Sequence, residues 1–215
     1  PIPGTFQTPS TNLGIFHESN IALTRRLTAT IGLRYDISRI EIDYATSARA
    51  TLNEQVMGVT LTPTITSILQ SNESTRFKHI LPKAGLLYKL PNQSNIYLTC
   101  AKGYRAGGYN IQMFADILQA ELSAATQTAR QDIYIAHTPE QYRALAETIT
   151  YKPETSWNYE IGAHLNIKNK QLHVDLAAYY ARIRNQQISV MASNYGFGRQ
   201  TTNALRSNTF GIETQ

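Results

Sequence analysis

The sequence predicts an all-β chain, an antiparallel up-and-down transmembrane β-barrel segment. It should supply about seven strands of a larger barrel and carry long, partly helical extracellular loops. Three observations carry that expectation. Apolar residues recur with a period of two, the connections alternate between short and long, and aromatic residues stand at the ends of the apolar rows.

The period is clearest in Leu27-Thr28-Ala29-Thr30-Ile31-Gly32-Leu33-Arg34-Tyr35, where odd positions are apolar and even ones polar or small. It returns in Trp157, Tyr159, Ile161, Ala163, Leu165 and Ile167, interleaved with Asn158, Glu160, Gly162, His164 and Asn166. Four residues, Lys168-Asn169-Lys170-Gln171, separate that row from Leu172, Val174, Leu176, Ala178 and Tyr180, so the two runs should form a hairpin. Residues 13–23, 84–90, 96–104 and 208–214 complete the seven. In the first of these, His17 and Ser19 share a face with Ile15, Ile21 and Leu23, as at an irregular edge. Pro82 fits only where its missing N–H does no ladder work.

Connections 24–26, 91–95 and 168–171 are short, whereas roughly 45–75, 107–152 and 191–203 are long, in strict alternation. Tight turns then lie at one rim and large loops at the other, as in outer-membrane barrels. Trp157 to Ile167 is also long enough for a tilted membrane strand of about 9–11 residues. Within 107–152, Phe114, Ile117, Leu118, Leu122 and Ala125 form a helical stripe. Thr138-Pro139 starts a second helix as cap and first-turn proline, with Tyr142, Leu145, Ala146 and Ile149 as its apolar face. These helices read first as a small loop subdomain packed on itself, and second as a lid.

Composition removes other classes. With 42% apolar and 16% charged residues among 215, the chain has the make-up of a folded protein. Mean hydropathy is −0.31 and no long apolar run occurs, which excludes a transmembrane helix. The single Cys100 excludes an internal disulfide and a C-x-x-C pair. A net charge of +5 comes from scattered cations, so no nucleic-acid partner is expected. Residues 1–5 lack a basic-then-apolar leader pattern.

Alternation alone does not separate a membrane barrel from a soluble β-sandwich, whose apolar rows turn inward. The aromatic edges at Tyr35, Trp157, Tyr159 and Tyr180 favour a lipid-facing band between two girdles. A family resemblance points the same way. Residues 26–35, Pro82-Lys83-Ala84-Gly85-Leu86-Leu87-Tyr88 and Lys102-Gly103-Tyr104-Arg105-Ala106-Gly107-Gly108-Tyr109-Asn110 resemble strand motifs of TonB-dependent outer-membrane receptors. So do Lys152-Pro153-Glu154-Thr155-Ser156-Trp157-Asn158-Tyr159-Glu160-Ile161-Gly162 and Phe210-Gly211-Ile212-Glu213, in family order. The resemblance implies a bacterial outer-membrane receptor whose barrel has about 22 strands around a plug. Residues 1–215 would then be a partial barrel domain, with plug, TonB box and C-terminal strands outside this sequence. The implied activity is uptake of a ferric siderophore or related iron chelate, energised by the TonB complex through the missing N-terminal part. A passive porin and a soluble β-sandwich binding module are the alternatives.

No G-x-S-x-G, H-E-x-x-H or phosphate-loop pattern occurs, so neither an enzyme nor a resident cofactor is expected. His164 should lie opposite Asp175 if Leu165 pairs with Val174. With His173 nearby, the two readings are a hydrogen-bonded pair on a wet inner wall and a metal site, and the first asks less of the geometry. Arg34, Asp36, Lys83, Glu160, His164 and Asp175 are accordingly read as lumen-facing polar groups. Ligand-contact candidates sit where strands give way to outer loops: Tyr104, Arg105, Gly107, Gly108 and Tyr109, with Trp157 and Asn158 on the returning strand. The alternative reading makes Tyr104 and Trp157 interfacial anchors and Gly107-Gly108 a turn.

Overall fold

A computed structural model describes residues 3–56, 59–167, 172–191 and 199–215. Its main sheet is an antiparallel meander, except that residues 133–135 pair in parallel with 65–67. β1 (Gly4–Gln7) and β2 (Ser10–Ala22) both pair with β3 (Leu27–Thr51), which pairs with the later strand 64–89. Between them β4 (Glu54–Val56) and β5 (Val59–Leu61) form a small hairpin, so the long returning strand is β6 (Thr64–Lys89). The order continues through β7 (Asn95–Arg105), short β8 (Gly108–Tyr109), helix α1 (Met113–Thr126), β9 (Ile133–Ile135), helix α2 (Pro139–Ile149) and β10 (Thr150–Tyr151). It ends with β11 (Glu154–Ile167), β12 (Leu172–Met191) and β13 (Arg199–Thr214). Seven long strands, β2-β3-β6-β7-β11-β12-β13, lie side by side, and the sheet is not closed.

Two of the short turns have local causes. Thr24 Oγ1 accepts from the backbone N–H of Arg26 and of Leu27, closing 24–26 at 3.2 and 3.0 Å. Pro91–Gln93 forms a single 3₁₀ turn in which Asn92 takes φ 59°, a left-handed conformation that asparagine tolerates better than most residues. The expected turn 168–171 lies outside the described residues.

The expected strand 27–35 is only the lower part of β3. One uninterrupted ladder joins Leu27↔Tyr88 to Thr51↔Thr64, so most of the expected loop 45–75 is strand, and only 52–63 remains as a tip. The third long connection is likewise trimmed, because β12 runs to Met191 and β13 starts at Arg199. These extensions escaped the sequence because the apolar row changes faces within one strand. Leu27, Ala29, Ile31, Leu33, Tyr35 and Ile37 are odd, whereas Ile40, Ile42, Tyr44 and Ala48 are even and buried. No bulge shifts the register. What changes is the neighbour on each side: below Ile37 the outer face is apolar and exposed, and above it Arg39, Glu41 and Asp43 take that face into water. From Leu27 to Ile37 are ten steps, which at about 3.3 Å each and a tilt of about 40° rise roughly 25 Å, the height of a barrel's apolar band.

The same band crosses the other strands. Leu86 and Leu98, Ile161 and Ala178, and Tyr180 and Phe210 are register partners on the outer face. Its loop-side edge carries the stacked Trp157 and Tyr159, 6.3 Å apart, and Tyr159 beside Tyr180 at 6.2 Å. His17 and Ser19 do point outward in edge strand β2, opposite Leu33 and Ile31. They satisfy each other through a 2.8 Å hydrogen bond between His17 Nε2 and Ser19 Oγ. Pro82 sits opposite Leu33, immediately past Lys83↔Ala101, where the β6–β7 ladder stops. Its missing N–H removes nothing from that edge.

Outward Ile161→Arg should destabilise the barrel that carries this chain by about 2–4 kcal/mol in bilayer unfolding titrations. Inward, half-exposed His164→Arg should stay within about 0.5 kcal/mol. Gly162 is no control for that experiment, because a side chain there would collide with the Tyr97 ring.

Candidate site at the lumen wall and mouth

Alternation sends one polar row per strand to the inner face. Toward the short turns, Tyr97 Oη donates to Glu160 Oε1 at 2.6 Å, and the His164 ring stacks on Tyr97 at 5.3 Å. Leu165 does pair with Val174, placing His164 opposite Asp175 with Nδ1 and Oδ1 2.7 Å apart. Both side chains are about half exposed, so the pair is a solvated one of modest energetic weight. Lys83 reaches across the sheet to Glu18 at 2.9 Å. Gly162 and Gly211 lie beneath the rings of Tyr97 and Tyr179, which cover backbone that no side chain of their own protects. Among the described residues no group of three His, Cys, Asp or Glu is placed to hold a metal ion.

Higher up, Arg34 Nε donates to both Asp36 carboxylate oxygens, at 2.8 and 2.9 Å, and the guanidinium lies over Phe16 at 5.9 Å. Asp36 is buried, and each of its carboxylate oxygens accepts from this N–H. Beyond Pro82, β6 and β7 separate, and aromatic residues fill the seam. Tyr104 stacks on His79 at 4.0 Å and shares a 3.2 Å hydrogen bond with Ser38, while Tyr109 Oη and Thr75 Oγ1 lie 2.8 Å apart. Burial pushes the Tyr109 phenol up from its ordinary value.

The expected helices are present. α2 begins with a reciprocal capping box between Thr138 and Gln141, Pro139 following the cap. Instead of packing only on each other, both helices lie on the inner face of the β3–β6 extension. Phe114 meets Tyr44 at 4.4 Å and Phe6 at 5.2 Å, and Leu118, Leu145 and Ile149 join Ile42, Ile65 and Leu69 in one core. Glu121 of α1 is held by Ser67 Oγ at 2.5 Å and by the buried His137 at 3.0 Å. On its far side the module is tied to β12 and β13 by amides. Asn110 exchanges two 2.8 Å hydrogen bonds with the Thr201 backbone. Gln187 donates to Ala106 O at 2.7 Å, and Asn203 bonds both the N–H and the carbonyl of Lys152. The module therefore bridges two extended hairpins above the lumen wall. Beside it a cavity of about 580 Å³ opens between Glu73, Thr75, Tyr109, Arg143, Glu147 and Lys152.

The sequence-expected ligand residues do not converge. Arg105 and Asn158 lie on the inner, solvent-open face, opposite Glu154 and Ala101. Tyr109 lines the mouth cavity. Tyr104 fills the seam, and Trp157 faces outward, in register with Lys102 and Arg182. Gly107 and Gly108 are buried, packed under Phe77 and Tyr151, and Gly108–Tyr109 pairs with Thr150–Tyr151. Close packing explains those glycines. Sequence reasoning missed Asn110, Gln187, Asn203, Glu121 and His137, because an amide or carboxylate in a polar row carries no signal of its distant partner.

Comparison with known proteins now assigns the architecture. A family model described as TonB dependent receptor-like, beta-barrel matches residues 2–215. The chain belongs to that family. TonB-dependent receptors are transport receptors of the bacterial outer membrane. The ferric yersiniabactin uptake receptor FyuA of Yersinia pestis is similar at a TM-score of 0.60 and 16% identity, over 99% of this chain and 25% of that one. The Serratia marcescens hemophore receptor HasR, bound to HasA and heme, gives 0.57 and 12% over 96% and 31%. The ferric-catecholate import receptor Fiu of E. coli K12 gives 0.53 and 15% over 97% and 25%. At such identities the likeness is one of fold, and the chain spans about a quarter to a third of those receptors.

Leu118→Ala should cost about 2–5 kcal/mol locally. Hydrogen exchange should accelerate across residues 113–149 while Leu27–Tyr35 stays protected. The Tyr44 phenol is pushed up to about 12, chiefly by burial. Its folded value exceeds the unfolded one near 10, so its contribution is complete below pH 10 and lost as pH rises through 12. Exchange in the module should quicken over that window, and Tyr44→Phe should flatten the response.

Proposed function

We propose that this chain is the loop-bearing part of an active uptake receptor. Its ligand binds at the outer mouth and passes through the lumen when a plug, outside this sequence, is moved by the TonB complex. The observation that supports this most is the helical module bridging the two extended hairpins over a polar wall. A receptor that captures a scarce solute needs a shaped surface at its outer end, and a packed, tethered module of this kind supplies one. A ferric siderophore or similar iron chelate is the ligand class we favour. Exposed Arg105 offers a planar fork of donors to an anionic chelate, Asn158 adds an amide on the same face, and Tyr109 an aromatic surface at the mouth.

The Asn110 N–H already bonds the Ile149 carbonyl at 2.7 Å, so residues 111–149 leave and return at neighbouring points. Deleting 111–149 and closing the gap with a short turn should leave membrane insertion of the full receptor intact and lower affinity for a ferric chelate. Arg105→Ala should weaken an anionic chelate by roughly 1.5–3 kcal/mol through loss of a charged hydrogen bond, and leave a neutral ligand almost unaffected. Fluorescence quenching on the full receptor reads both. Unchanged binding with uptake continuing would move recognition away from this segment.

A further inference from the structure

The outward face immediately above the aromatic edge is basic on both halves of the sheet. On β3 and β6, Lys78 lies opposite Ile37, one step above Tyr35↔Ile80, and the next outward pair is Arg39↔Arg76. On β12 and β13, Arg182 lies opposite Trp157 and Asn208, one step above Tyr180↔Phe210, and the next outward pair is Arg184↔Arg206. Two arginines facing each other across a ladder repel, an arrangement ordinarily selected against in sheets. Here it occurs twice, at the same height above the girdle. Arg39 is ion-paired with Glu41 at 2.8 Å. Arg184 and Arg206 have no acidic partner in an ion pair among the described residues, and Arg39, Arg76, Lys78, Arg184 and Arg206 are all exposed.

The position decides what these cations meet. They continue the apolar and aromatic band upward, so they stand at the depth of lipid head groups. A phosphate set between Arg184 and Arg206 accepts from both guanidinium forks and turns the repulsion into two charge-assisted contacts. We propose that this belt, with Arg184–Arg206 as one clamp and Arg39–Arg76 as another, binds phosphate-bearing head groups of the loop-side leaflet. This holds the barrel at a fixed height and ties lipid to the hairpins that carry the helical module. The inference needs only the membrane barrel and is independent of the transported ligand.

The test uses the full receptor in nanodiscs of phosphatidylcholine mixed with phosphatidylglycerol, with native mass spectrometry counting retained phosphatidylglycerol. Wild type should retain it preferentially. Arg184→Gln with Arg206→Gln should weaken retention roughly fivefold per cation, the equivalent of about 1 kcal/mol each. Arg184→Lys with Arg206→Lys should keep most of it, and lumen-facing Lys83→Gln should match wild type. Equal retention by the glutamine variant, or equal loss in Lys83→Gln, overturns the proposal. So does wild-type stabilisation in detergent by inorganic phosphate to the same extent as by phosphatidylglycerol, which would indicate a free-anion site. If the glutamine variant fails to fold, a salt titration of wild type decides: retention falling with NaCl supports the clamp, and retention indifferent to it overturns the clamp.

Discussion

Within a bilayer every backbone N–H and C=O needs a protein partner, because lipid offers none and each unpaired group costs several kcal/mol. The unbroken β3–β6 ladder meets that demand through the membrane and then continues well beyond it. Much else follows from its not stopping at the surface. Once above the apolar band, the hairpin keeps its hydrogen bonds but exchanges its environments: the outer face becomes charged, and the inner face needs a cover. The two helices of residues 113–149 supply it. Ile42, Tyr44, Ile65 and Leu69 would otherwise be an exposed apolar patch, so the module is as much a consequence of the long strands as an addition to them.

That dependence relates stability to recognition. A loop of this length would ordinarily be mobile, and mobility weakens a binding surface by the entropy of ordering it. Here a dense core on one side and the amides of Asn110, Gln187 and Asn203 on the other hold the segment between the two extended hairpins. The two attachments differ in kind. The apolar one is non-directional and strong, whereas the amide one is directional and open to water, so motion of the module is expected to begin at β12 and β13.

The polar face opposite the apolar band follows a different rule. Its charged groups are mostly paired with each other, Arg34 with Asp36, Lys83 with Glu18 and His164 with Asp175, and most of these side chains are about half exposed. Such pairs add little to stability but keep the wall wet and mixed in sign. Arg105 and Asn158, exposed on the same face higher up, extend that wet wall toward the mouth.

Strand identity, the lipid-facing rows, the short turn at 24–26, both helices and the His164–Asp175 pairing were legible in the sequence, because each depends on neighbours along the chain or one ladder step away. The parity change between Ile37 and Ile40 was equally visible there, yet it could not be read as continued strand. Its meaning depends on which side faces lipid and which faces a helix that comes much later in the chain. The seam filled by Tyr104, the buried Gly107 and Gly108, the outward turn of Trp157 and the amide ties across the mouth belong to tertiary structure for the same reason. Periodicity reports that a residue has a face, whereas the partner on that face is set by chain elements whose distance in sequence bears no relation to their distance in space.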